Sequence, residues 1–173
     1  FLSQFAQERV EKITGPLQSK IVPHGIDSRF SSIAKNRTDG ISCPIRLIYV
    51  STIDHYKHQE KVVKYLCDMR SRFNNFNFKI IGSSRKTALK NLQRVIDRSD
   101  PDRSWIDYIG EVDFSHIPQY YADSDIAIFA STCENLPNIL IEKMASGLPV
   151  VSTEVGPMRD VLRDACSYFD ISD

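Results

Sequence analysis

Apolar residues along this chain gather in short runs, and from residue 45 onward these runs alternate with amphipathic stretches. Five runs, Ile45–Ser51, Phe76–Gly82, Trp105–Gly110, Asp125–Ala130 and Pro149–Ser152, are rich in β-branched and aromatic residues and show little polar alternation. That pattern predicts strands covered on both faces, since a half-exposed strand would place a polar residue at every second position. A further short strand is expected at Lys20–Pro23. Apolar residues recurring every three or four positions predict helices near Gln59–Phe73, Ser84–Arg98, Ser115–Asp123, Pro137–Ser146 and Pro157–Leu162. Pro137 and Pro157 are expected at the first helical position, where the missing N–H costs nothing, and Gly147 is expected to stop the fourth helix. Residues 35–44 and 98–104 read as polar, turn-rich surface connections.

Strands alternating with helices predict the α/β class with a parallel sheet. Open sheets of this kind bind ligands beyond the carboxyl ends of their strands, where loops lead into helix N-termini. The loops after residues 51, 82, 110, 131 and 153 are therefore the expected seat of function, which makes Thr52 and Gly82 binding candidates.

Composition narrows the classes. A chain of 173 residues with 42% hydrophobic and 25% charged residues has the make-up of one soluble domain with a sizeable core. Basic and acidic residues both number 22, which gives no reason to expect nucleic acid as a partner. Apolar runs such as "LIYV" and "IAIF" fall far short of the roughly 20 residues that cross a bilayer, so a cytoplasmic protein is expected. Cys43, Cys67, Cys133 and Cys166 lack paired metal spacing and are read as free thiols acting as small buried hydrophobes. The chain opens at Phe1 and closes at "SYFDISD", which reads as a segment of a longer polypeptide, with "FLSQFAQERVEKI" at helical spacing. Lys86, Lys90, Arg94 and Arg98 form a basic helix face opposite Leu89, Leu92 and Ile96. It is read as solvated, with peripheral contact to anionic lipid at the inner membrane face as the sharper alternative. His55 and His58 beside Lys57, and Asp123 with Asp125, are assigned no metal. Neither a dinucleotide glycine fingerprint nor a P-loop is present.

The stretch "ENLPNILIE", residues 134–142, carries a carboxylate at each end of a predicted helix start. Pro137 in the first turn leaves the N–H groups of Asn138 and Ile139 without intrahelical partners, and the helix dipole makes that end attractive to phosphate. On a helical wheel Leu136, Ile139, Leu140, Ile141, Met144 and Ala145 form the broad core side, while Asn138 and Glu142 share the opposite one, so Glu142 is expected to point away from the core. The helix rises about 7.5 Å between Pro137 and Glu142, and the loop back to Glu134 spans at most about 10 Å. Two carboxylates so placed can flank a sugar nucleotide, accepting hydrogen bonds from its hydroxyls while the diphosphate lies near the helix start.

Residues 131–153, "STCENLPNILIEKMASGLPVVST", resemble the Glu, seven residues, Glu motif and following segment of retaining glycosyltransferases of family 4, which have the GT-B fold. "IVPHGID" (21–27), "LIYVSTIDHYKHQ" (47–59), "KIIGS" (79–83), "IDYIGEV" (106–112) and "EVGPMRDVL" (154–162) resemble further family elements in the same order. The resemblance implies a three-layer Rossmann-like domain with a parallel sheet, one half of a GT-B enzyme: residues 1–19 would lead in from a missing N-terminal domain and 20–173 would bind the nucleotide sugar. It implies that Glu134 touches the donor sugar, that Glu142 holds the ribose and that Lys57 neutralises the diphosphate. The family's usual Gly-Arg-Leu run before that lysine is here Ser51, Thr52, Ile53, one cation fewer. Its usual Gly-Phe-Gly after the first glutamate is here Asn135, Leu136, Pro137, which leaves Asn135, Leu136 and Asn138 as backbone donors to the sugar. Base contacts fall by analogy on Gly110 to Val112.

The implied function is donor binding in a retaining hexosyltransferase that moves a sugar from a nucleoside-diphosphate sugar, without cofactor or metal, to a polysaccharide or to a lipid-linked acceptor held by the missing domain. The isolated chain would be inactive in transfer. A nucleotide-sugar epimerase or hydrolase on the same scaffold, and a non-catalytic binding or scaffold module, are the competing readings.

Overall fold

The computed structural model describes residues 1–34 and 40–171, so the first half of the 35–44 connection lies outside the described residues. Six parallel strands form one sheet: β1 (Ile45–Val50), β2 (Phe76–Ile81), β3 (Ile106–Gly110), β4 (Ile126–Phe129), β5 (Val150–Thr153) and β6 (Ser167–Phe169), in the order β3-β2-β1-β4-β5-β6. The helices are α1 (Gln4–Thr14), α2 (Ser28–Ala34), α3 (Gln59–Arg70), α4 (Lys86–Ser99), α5 (Ile117–Ala122), α6 (Asn138–Ala145) and α7 (Met158–Leu162). Strand order runs outward in both directions from the β1/β4 pair. Right-handed crossovers therefore place α3 and α4 on one face and α6 and α7 on the other. The result is a Rossmann-like three-layer domain whose central strands, Leu47 to Val50 in β1 and Ala127 to Phe129 in β4, are buried.

Several expectations need correction. Lys20–Pro23 is not a strand: among the described residues its backbone pairing is confined to Phe1, whose carbonyl accepts from Val22 N–H and whose amino group donates to the Lys20 carbonyl, and bonds to a single residue do not make a ladder. Pro137 and Pro157 sit one residue earlier than expected, at the N-caps of α6 and α7. The Ser115–Asp123 stretch divides into a 3-10 turn, Phe114–His116, and α5, with Pro118 inside its first turn. β6 and α2 were not anticipated. No cysteine is a buried hydrophobe: all four thiols are free, but Cys43 and Cys133 are exposed and Cys67 and Cys166 half-buried. Gly147 ends α6 as expected, with φ +68° and its N–H on the Met144 carbonyl.

Two details position the crevice at the strand ends. Gly82 follows β2 with φ +150°, and a Cβ built there would lie 2.0 Å from the Ser51 carbonyl oxygen, so only glycine lets the β1 loop cross this closely. On the other face α2 packs against α5 and α6 through Phe30, fully buried against Phe114 and Tyr121 with ring centres 5.6 and 5.9 Å apart.

Candidate functional site

At the β1/β4 junction the order in which successive strands are added to the sheet reverses, and the carboxyl ends of these parallel strands open there into loops. The loop after β1 is held in place by bonds from four directions. Arg85 N–H donates to the Ile53 carbonyl and Ile53 N–H to the Ser83 carbonyl, lacing it to the β2 loop. The buried Asp54 carboxylate accepts from His55 N–H at 2.7 Å, capping a 3-10 turn over His55–Lys57, and pairs with Arg85 Nε at 2.8 Å. Gln59, wholly buried, donates its amide to the Thr52 carbonyl. Thr132 N–H donates to the Tyr56 carbonyl and the His58 ring meets the Thr132 hydroxyl at 2.9 Å, tying this loop to the one after β4. Beneath both, the buried Tyr49 hydroxyl donates to the Lys57 carbonyl at 2.5 Å and accepts from Ala130 N–H at 3.0 Å. Burial raises the Tyr49 pKa far above its ordinary value, so the phenol keeps the proton this bridge requires.

These constraints bring Lys57 to Glu134. Their side chains form an ion pair although 77 residues apart, and are only 8% and 12% exposed. Lys57 Nζ also lies 5.1 Å from the Tyr56 ring centre and 5.2 Å from that of Phe129. Close by, α6 begins at Pro137 without a side-chain cap, so the dipole of this eight-residue helix is unanswered at its N-terminus. Asn135 and Asn138 are exposed at that start.

A crevice of about 270 Å³ lies between the loops after β1, β2 and β3 and the first turn of α6; Thr52, Gly82, Val112 and Ile139 line it, with Glu111 and Ser51. The structure thus brings Thr52, Gly82 and Val112 together, and Gly110, at φ +87°, adjoins Glu111. Gly82 N–H is engaged by the Gly110 carbonyl at 2.8 Å, so Gly82 contributes close approach and not a free donor. Ser51 Oγ, of a residue lining the crevice, and Ser131 Oγ after β4 are buried hydroxyls with no hydrogen-bond partner among the described residues.

Two predicted residues stand elsewhere than expected. Leu136 lines a separate cavity of about 740 Å³ beside the chain's first residues, with Leu2, Ile21, His24 and Ile141. Glu142 does not point away from the core. It is half-buried, and burial raises its carboxyl pKa, with the neighbouring Lys143 charge opposing the shift and Asp27 adding to it. The helical wheel failed because α6 is seated between the sheet and α2, and its fully buried side chains are Leu140 and Lys143. A charged residue at the centre of the buried face is invisible to a polarity pattern, and Lys143 was missed for that reason. Among the described residues no group of three or more His, Cys, Asp or Glu side chains could hold a metal ion, and no helix is long and apolar enough to cross a membrane.

Residues 44–169 match the family described as glycosyl transferases group 1. An uncharacterised glycosyltransferase of Haemophilus influenzae is 31% identical over 112 residues, 64% of this chain and 30% of that protein. The GtfA subunit of a Streptococcus pneumoniae UDP-N-acetylglucosamine–peptide N-acetylglucosaminyltransferase is 28% identical over 65% of this chain and 21% of its own length. This chain therefore spans less than a third of either relative. Among solved structures, a Rickettsia africae glycosyltransferase superposes with a TM-score of 0.81 at 18% identity, covering 99% of this chain and 48% of that one. The pneumococcal O-GlcNAc transferase GtfA in complex with UDP and GlcNAc gives 0.68 at 26% identity, over 91% of this chain and 30% of that one.

Proposed function

We propose, for a chain that belongs to the glycosyl transferases group 1 family, that this is the C-terminal, donor-binding domain of a retaining hexosyltransferase of family 4. The donor is a nucleoside-diphosphate sugar, and UDP is the first nucleotide to test because the pneumococcal GtfA structure carries it. The acceptor is a polysaccharide or a lipid-linked sugar, bound through an N-terminal domain to which residues 1–19 lead. The observation that carries the reading is the Lys57–Glu134 pair beside the uncapped start of α6, at the carboxyl edge of the sheet.

In this reading the crevice between Thr52, Gly82 and Val112 takes the base and ribose, and the diphosphate lies over the start of α6. Asn135 and Asn138 offer backbone donors there, while Leu136 contributes at most its N–H, its side chain facing the other cavity. Lys57 turns from Glu134 to the diphosphate and, with the helix dipole, stabilises the charge that grows on the leaving phosphate; no metal ion is required for that role. Glu134, released from the ammonium, accepts hydrogen bonds from the sugar hydroxyls and orients the ring. Glu142 holds the ribose, and its partial burial strengthens each hydrogen bond it accepts.

Calorimetric titration with UDP, ADP and GDP tests the reading. Binding of one of them, weakened by about 1–3 kcal/mol in Glu142→Ala, is the expected result. No binding at millimolar concentration would favour a scaffold role. Product analysis with the intact enzyme separates transfer from isomerisation or hydrolysis.

A further inference from the structure

The centre of the buried face of α6 is an amine. Lys143 has no solvent exposure, and its Nζ donates to the Val50 carbonyl at 3.2 Å. That nitrogen lies 4.8 Å from the Phe129 ring centre and 5.3 Å from that of Tyr49. A lysine ammonium has three donors, and among the described residues one acceptor meets them here. Lys57 Nζ lies 5.2 Å from the same Phe129 ring. Two amines thus share one aromatic ring, and the Glu134 carboxylate, whose charge reaches Lys143, is itself paired with Lys57.

The groups around Lys143 come from every side: Tyr49 and Val50 of β1, Phe129 of β4, Lys57 of the 3-10 turn, Glu134 of the β4 loop and Glu142 of its own helix. Burial dominates and, with repulsion from Lys57, lowers the amine's pKa to about 7, while Glu142 and Glu134 pull it upward. A buried lysine there is poised between its two charge states near neutral pH.

We propose that Lys143 is a proton-accepting positioning residue of the donor site, taking a proton from solvent when a diphosphate binds beside Lys57. The inference rests on the donor-binding reading above. The neutral amine and one solvent proton become an ammonium, and no other bond changes. The incoming phosphate charges attract the new ammonium, and Lys57, drawn to them, leaves the Glu134 carboxylate facing it. A second cation then reinforces the first only while the ligand is present.

The test is calorimetry of UDP binding to the intact protein in buffers of different ionisation enthalpy, with ADP and GDP in parallel. At pH 8 the expected uptake is about half a proton or more per nucleotide, falling close to zero at pH 6, where the amine is already charged. Lys143→Met should show no uptake at pH 8. Its affinity deficit should be severalfold at pH 8, about tenfold or more at pH 6, and absent above about pH 9; a purely structural loss would not follow that profile. If Lys143→Met does not fold, Lys143→Arg, permanently charged, takes its place and should likewise show no uptake. Binding without proton uptake, or uptake that persists in the variant, overturns the role of Lys143 alone. Failure of all three nucleotides to bind overturns the donor-site reading with it.

Discussion

Replacing Lys57 with methionine isolates the energy of the pair at the heart of the site. Both partners are nearly covered, so the substitution leaves the Glu134 carboxylate buried without its counter-charge. Removing one partner of a buried pair typically costs 3–5 kcal/mol. Here the lower end applies, about 3 kcal/mol, because Lys143 stands close enough to act on the same carboxylate. For a domain of this size that loss lowers the melting temperature by roughly 6–12 °C. Urea unfolding followed by Trp105 is the assay: it is the chain's one tryptophan, 5% exposed, with its ring centre 5.5 Å from that of Phe76. Lys57→Met should lower the midpoint at unchanged slope. Adding Glu134→Gln removes the stranded charge, and the double variant should return to within about 1 kcal/mol of the parent. A double variant as unstable as the two single losses summed would show that the carboxylate and the ammonium do not depend on each other, and would refute the coupling between them.

Gly82→Ala drives a Cβ into the Ser51 carbonyl oxygen in a positive-φ conformation, and should cost about 3 kcal/mol or more in the same unfolding assay. Asp100 is buried, which raises its pKa, yet N–H groups of Trp105, Ile106 and Ser104 and the Ser104 hydroxyl lower it further, leaving it depressed. A depressed carboxyl contributes stability above its ordinary value near 4 and loses it as pH falls through the folded value. Asp100→Asn should thus cost about 1–3 kcal/mol at pH 7 and show a smaller deficit in strong acid. For Glu142 the sign reverses: a raised carboxyl favours folding below its ordinary pKa and loses that contribution as pH rises through the folded value. Glu142→Gln, which cannot ionise, should melt higher than the parent at pH 7 and level with it near pH 4, even as nucleotide binding weakens.

Five of the six strands were legible as apolar, β-branched and aromatic runs such as "LIYV", which suit a sheet covered on both faces, although β3, at the sheet edge, leaves Asp107 and Ile109 exposed. β6 was missed because "SYF" is three residues long and gains its pairing from β5, a contact no local pattern encodes. α2 has the same origin, one buried residue, Phe30, being too little for a period. Glu134 stood out from the spacing of its motif, but Lys57 could be named in advance only through a resemblance, for spacing says nothing about residues 77 apart; that they meet is a property of the fold. Asp100 read as an ordinary turn former in a surface connection, whereas its side chain organises the entry into β3. Lys143 reverses the usual inference from charge to surface, and nothing in its neighbours announces it.

The phenol of Tyr49 joins the Lys57 carbonyl to the Ala130 amide, so the ends of two adjacent strands behave as one mechanical piece. A rigid anvil follows. Gripping a ligand at this edge falls to side-chain rotation and to whatever body approaches from outside, not to folding of the Lys57 loop. In hydrogen exchange the Ala130 amide should be among the last to open, and Tyr49→Phe should loosen that edge without disturbing the far end of the sheet.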